Sequence, residues 1–237
     1  MPASLSLIIA AIAAFLIRQP IVIAVKAYAG RRAKSDFPAV RVWIALYSAI
    51  ILIALLGLLR AGFGYLILLA IPGVPVFAWH LWLVSKREER RQVHVEILAT
   101  GVLSLAAPAA YWVGIGRYDS AGWWLWILVW LQTAASIVYA YLRLEQRDQA
   151  EGLGGAELWK MGSRAFAYTA FNLAVVLALG LASILPRLLF LPYLAQWLET
   201  LWGIFHPAVK WKPTRIGIRQ LIVSTIWTIL FIITWNL

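Results

Sequence analysis

Eight runs of about twenty apolar residues, parted by short basic clusters, constrain this chain more than any other feature. A helical crossing of the ~30 Å hydrocarbon core takes about 20 residues. The runs fall near Ser4–Ala29, Ala39–Leu59, Gly62–Ser85, His94–Gly116, Ser120–Leu142, Arg164–Ile184, Arg187–Phe205 and Ile216–Asn236. Lipid offers no partner to backbone N–H and C=O groups, so a span must satisfy them internally. A membrane barrel would show roughly ten-residue segments of alternating polarity, whereas these runs are apolar all round. The expected fold class is all-α: a polytopic transmembrane helical bundle of about eight spans, forming a single integral membrane domain over residues 1–237.

The residues are 63% hydrophobic and 13% charged, against about 45–50% and about 25% in soluble domains. Too few polar groups remain to cover a water-facing surface. A net charge of +11 would suggest nucleic acid in a soluble chain, but here the cations alternate with the runs, which makes them a topology signal and excludes nucleic acid as the expected partner. Sixteen of the 21 Lys and Arg residues lie in four alternate clusters: Lys26–Lys34, Lys86–Arg91, Arg143–Arg164 and Lys210–Arg219. Only Arg60, Arg117 and Arg187 lie in the opposite loops. The excess of cations marks the cytoplasmic side, so both termini are expected on the non-cytoplasmic side of a bacterial inner membrane. Each cation near an anionic headgroup is worth about 1 kcal/mol, and membrane lipids are the first expected partners. Cysteine is absent, which removes disulfides and thiolate metal sites. The apolar N-terminus lacks a basic leader and continues into membrane-length sequence, the reverse of a cleaved signal peptide.

Prolines punctuate the runs. Pro72, Gly73 and Pro75 interrupt the third and Pro108 the fourth, where each proline deletes a helical hydrogen bond. Kinks are ordinary in membrane helices and also occur around ligands. The seventh run, with Pro186, Pro192, Gln196 and Glu199, has the character of a tilted or interfacial helix. Trp123, Trp124, Trp126, Trp159, Trp211, Trp227 and Trp235 lie near run ends, as in an interfacial aromatic belt. A pigment or quinone platform on Gly122–Trp130 is the sharper alternative.

Arg18 stands roughly 15 Å from the basic end of its helix. A charge there costs at least about 2.5–3.5 kcal/mol on insertion scales, so it is expected to face protein, water or an anion. Two readings follow: a ligand for a polar or anionic headgroup, or a structural network with carbonyls loosened by Pro20. His80, Glu96 and Asn172 lie at comparable depth and Gln132 nearer the centre, so these five residues are candidates for lining one cavity; His80 and Glu96 can also snorkel to the interface. Arg143, Arg147 and Arg164 form a candidate phosphate or headgroup rim. A solvated helix end with ion pairs among Arg143, Glu145, Arg147 and Asp148 is the blander reading. His80, His94 and His206 lack paired-ligand spacing. No aspartate-rich magnesium cluster occurs, which leaves Glu145 and Asp148 as weak metal candidates.

Phe15–Arg32 with its Ile-Arg-Gln-Pro core, Ala134–Arg147 and Pro213–Val223 resemble the YwiC-like family of bacterial membrane proteins. That family is distantly similar to the UbiA-type prenyltransferases, and the resemblance implies a UbiA-like architecture with a cytoplasm-facing cavity. Nine spans are usual there, so the eight runs correspond to the last eight, and the family's N-terminal helix with its Pro-x-Glu-His-Gly-Ala-Trp-like segment is expected to be missing. Such prenyltransferases hold magnesium and a diphosphate on two aspartate-rich motifs. Lys26–Asp36 offers one aspartate among four cations at the first, and Arg143–Glu151 offers Glu145, Asp148 and Glu151 beside two arginines at the second.

The expected function is to bind a hydrophobic isoprenoid, quinone or lipid, or to act as an accessory subunit of a membrane complex with protein partners. A degenerate UbiA-like prenyltransferase, requiring magnesium, and a small-solute transporter are the alternatives. The transporter reading rests on the broken third and fourth helices.

Overall fold

The computed structural model describes residues 3–30, 35, 37–86, 93–149 and 152–237. Arg31, Arg32, Lys34 and Asp36 of the first basic cluster, Arg87, Arg90 and Arg91 of the second, and Glu151 lie outside the described residues. The described residues form α1 (Ala3–Tyr28), α2 (Phe37–Arg60), α3 (Ala70–Lys86), α4 (Val93–Leu103), α5 (Ala106–Ile115), α6 (Ala121–Arg147), α7 (Gly155–Leu181), α8 (Phe190–Phe205) and α9 (Pro213–Trp235). A 3₁₀ turn over Gly64–Leu69 leads into α3 and another over Arg187–Leu189 into α8. Among the described residues there is no strand. With the two 3₁₀ turns joined to α3 and α8 and with α4 joined to α5, the helices make eight segments long and apolar enough to cross a membrane, one for each of the eight runs in the sequence. The chain is a multi-pass membrane protein with an all-α fold.

Two boundaries differ instructively. The sixth span, α7, starts at Gly155, nine residues before Arg164. Glu157 explains the early start: its Oε2 accepts the Gly154 N–H at 3.1 Å while its own N–H reaches the Gly154 carbonyl at 3.1 Å, closing an N-terminal cap. The fourth run is two helices, α4 and α5, parted at Ser104 and Leu105. Pro108 has no N–H to give the Ser104 carbonyl. That carbonyl instead takes the Ala107 N–H at 3.1 Å, in a tighter turn.

Residues 1–130 and 131–237 form two compact units. In the first, α1 and α2 lie antiparallel, with Ser6 against Gly57 at one end and the Tyr28 and Phe37 rings 4.7 Å apart at the other. Small residues on α1, Ser6, Ala10 and Ala13, are buried and allow this close approach. The break in the fourth run is stapled from α6. Trp126 Nε1 donates to the Gly101 carbonyl and Trp130 Nε1 to that of Ile97, each at 2.8 Å. A Cβ on Gly101 would stand 2.7 Å from the Trp130 ring, so this glycine makes room for the staple. Trp112, fully buried, donates to the Asp119 carbonyl at 2.6 Å and lies against Gly122. Trp123 is within 5.5 Å of it and donates to the Tyr118 hydroxyl at 3.0 Å. Trp123, Trp126 and Trp130 thus hold helix ends and breaks together.

In the second unit α8 lies against α7 and α9, with Gly162 of α7 accommodating Ile204 and Gly203 of α8 accommodating Tyr139 of α6. Apolar residues such as Leu221, Ile222, Ile229 and Ile232 stay exposed on α9. Outward apolar residues and an inward polar seam are the pattern of a bundle whose solvent is lipid.

Candidate functional sites

The first unit holds Arg18, His80 and Glu96. Arg18 lies sixteenth in the 26-residue α1 and is exposed. Its Nη2 lies 3.5 Å from Nε2 of half-buried His80 on α3, which accepts when the ring proton sits on Nδ1. Pro20 is buried on the same helix, and His80 is the one hydrogen-bond partner of the Arg18 side chain among the described residues. Four of the five guanidinium donors therefore have no acceptor among the described residues. Glu96 is half-buried in the first turn of α4, where a carboxylate suits the helix dipole.

The second unit holds Gln132 and Asn172, both buried. Asn172 Nδ2 donates to the Leu131 carbonyl at 2.7 Å, tying α7 to α6. Gln132 Nε2 donates to Ser136 Oγ at 3.0 Å, and Gln196 of α8 donates to the Gln132 carbonyl and to Ser136 Oγ, each at 3.1 Å. These bonds begin a seam along one face of α6. Positions 132, 136, 139, 143 and 146 recur at three and four residues and so share that face.

Farther along the seam, the Tyr139 hydroxyl donates to Glu199 Oε1 at 3.0 Å. Arg219 of α9 grips the same carboxylate with Nε at 2.7 Å from Oε1 and Nη2 at 2.9 Å from Oε2. The fork geometry is the strong form of ion pair. Arg143 follows one turn on, 1% exposed. Its Nη1 donates to Gln146 Oε1 at 2.8 Å, to the Gly203 carbonyl at 2.7 Å and to the His206 carbonyl at 2.8 Å. Gln146, also fully buried, adds a bond to Gly203 O at 3.1 Å. A buried cation from α6 thus caps the C-terminal carbonyls of α8, where the helix dipole is negative. Arg143 is accordingly placed inside the unit, and only Arg147 and Arg164 of the three rim candidates reach the surface.

Arg147 Nε lies 3.4 Å from Asp148 Oδ1, and the Asp148 side chain is 77% exposed. Glu145 is exposed beside them. Among the described residues no three His, Cys, Asp or Glu side chains converge where a metal could be held.

The meeting of Tyr139 on α6, Glu199 and Trp202 on α8, Trp211 before α9 and Arg219 on α9 escapes a linear reading because these residues are far apart in the chain. The signal available was the α6 heptad pattern, an acid inside the seventh run and an arginine in the eighth.

Residues 1–111 match the YwiC-like protein family. The matched stretch carries Phe15–Arg32, Arg18, His80 and Glu96, and extends from α1 into α5. The other two resembling blocks, Ala134–Arg147 and Pro213–Val223, lie beyond it. No curated protein and no solved structure matches the chain.

Proposed function

We propose that this YwiC-like chain is a membrane protein that binds an amphiphile, an isoprenoid, quinone or lipid, with its polar head at Arg18 and His80. The single observation that supports this reading is a guanidinium deep in an apolar helix, held at 3.5 Å from one imidazole nitrogen and otherwise exposed. Leaving it to hydrocarbon would cost at least about 2.5–3.5 kcal/mol. A phosphate, carboxylate or quinone oxygen offsets that cost and leaves the tail in lipid. An accessory role in an inner-membrane complex fits the same geometry, since a subunit that holds a lipid-soluble molecule can present it to protein partners. Magnesium-dependent prenyl transfer and solute transport gain less support: among the described residues Glu145 and Asp148 join no group of three possible metal ligands, and ahead of the break between α4 and α5 the Gly101 and Ile97 carbonyls are taken by Trp126 and Trp130.

The test is native mass spectrometry of protein released gently from its own membranes, wild type beside Arg18→Ala. A discrete isoprenoid, quinone or lipid adduct on wild type that falls at least tenfold in the variant is the expected result. An adduct unchanged by Arg18→Ala rejects the site. Turnover of a prenyl diphosphate that Arg18→Ala abolishes rejects a purely binding role.

A further inference from the structure

At the meeting of α6, α8 and α9, within residues 131–237, arginines and indoles alternate. The Arg215 guanidinium carbon lies 4.0 Å from the Trp211 ring centroid and that of Arg143 lies 5.1 Å from the same ring. Arg143 is also 5.9 Å from the Trp202 centroid, and Arg219 is 4.0 Å from it. Three guanidinium charges thus gather around Trp202 and Trp211, and Arg219 already occupies both oxygens of Glu199. Arg143 Nη2 is buried without a hydrogen-bond partner among the described residues. The exposed Arg215 guanidinium has the Trp211 ring for its contact and no acceptor among the described residues.

The α9 N-terminus opens at the same place. Lys212 is its N-cap residue, extended at φ −67° and ψ 139°, with no side chain capping the first turn, and Pro213 follows. The approach is tied to α6 by hydrogen bonds. Lys210 holds a left-handed φ of 59° and its N–H donates to the Arg147 carbonyl at 3.1 Å. Ala208, fully buried, donates its N–H to Gln146 Oε1 at 3.3 Å. The Arg215 and Ile216 N–H groups return to the Lys212 carbonyl at 2.9 and 3.4 Å and Pro213 has no N–H, so the Thr214 N–H is the donor left at this positive dipole end, where an anion is attracted. A guanidinium stacked on indole keeps its planar fork of donors free for an oxyanion, and a buried cation behind it acts through a low dielectric.

We propose that Lys212, Arg215, Trp211 and the Thr214 N–H at the start of α9, backed by Arg143, form a phosphate-binding site, with the phosphate borne by a lipid headgroup or free in solution. The proposal is independent of the Arg18 reading, because it rests on different residues in the other unit. The experiment compares wild type, Lys212→Gln/Arg215→Gln and Arg187→Gln as a basic control. Calorimetry with inorganic phosphate in neutral detergent reads the free anion. Native mass spectrometry from phosphatidylcholine nanodiscs containing phosphatidylglycerol reads the lipid. Saturable phosphate binding assigns a free-phosphate site, and preferential retention of phosphatidylglycerol alone assigns a headgroup site. In either case the double variant is expected to lose at least tenfold while Arg187→Gln holds. If the double variant does not fold, Lys212→Gln at its exposed position carries the same comparison. Wild type that binds neither, or a folded variant that binds as wild type does, overturns the proposal.

Discussion

Arg219 closes a two-pronged ion pair on Glu199, 2.7 Å and 2.9 Å between nitrogen and oxygen, while the Tyr139 hydroxyl donates to the same carboxylate at 3.0 Å. Three helices therefore converge on one acid. A single-partner loss leaves the remaining charge partly desolvated, at 15% side-chain exposure for Glu199 and 32% for Arg219. Glu199→Gln and Arg219→Gln should each destabilise the second unit, and the double variant should lose less than the sum. The coupling expected from a double-mutant cycle of unfolding in detergent is about 1–3 kcal/mol.

Arg143 should behave as a structural cap. Arg143→Met removes the donor to the Gly203 and His206 carbonyls and to Gln146 Oε1. Each buried acceptor left without a partner costs about 1–3 kcal/mol, although Gln146 still serves Gly203. Arg143→Lys retains the charge but not the fork, and should recover only part of the loss. Thermal unfolding of the purified variants, beside Arg147→Met at the half-exposed neighbour, checks the ranking; Arg147→Met should cost under about 0.5 kcal/mol.

Gly101→Ala should loosen the broken fourth span. The new Cβ meets the Trp130 ring at 2.7 Å, and moving that indole lengthens its bond to the Ile97 carbonyl. Overpacking of this kind costs typically about 1–3 kcal/mol. Gly114→Ala, whose Cβ meets nothing within 4 Å, is the control. Both are read by thermal unfolding and by the red shift of tryptophan emission.

The absence of native cysteine makes orientation directly measurable. Single cysteines at Ser35 and Gly152 should react with an impermeant maleimide only after the membrane is opened from the cytoplasmic side. Cysteines at Gly62 and Ser120 should react in intact spheroplasts. The reverse pattern would invert the orientation drawn from the basic clusters.

The fold was legible because its main determinant is local. Twenty apolar residues must become a helix in lipid whatever their neighbours, so the spans at Ala3–Tyr28 or Phe37–Arg60 could be placed within two or three residues. The start of α7 was not legible from hydropathy, since a cap made by Glu157 on Gly154 extends the helix through polar sequence.

The sites divide along the same line. Sequence alone determined that Arg18 sits deep in an apolar helix, because position along a helix converts directly to depth. It also determined that the cations alternate between loops. Which side chains meet was decided by tertiary structure. Arg18 found His80, 62 positions away, and Arg143, by sequence a cation of a charged helix end, is held inward by the carbonyls that end α8. Only when one helix ends against the flank of another do such acceptors acquire a donor, and no linear pattern records that encounter.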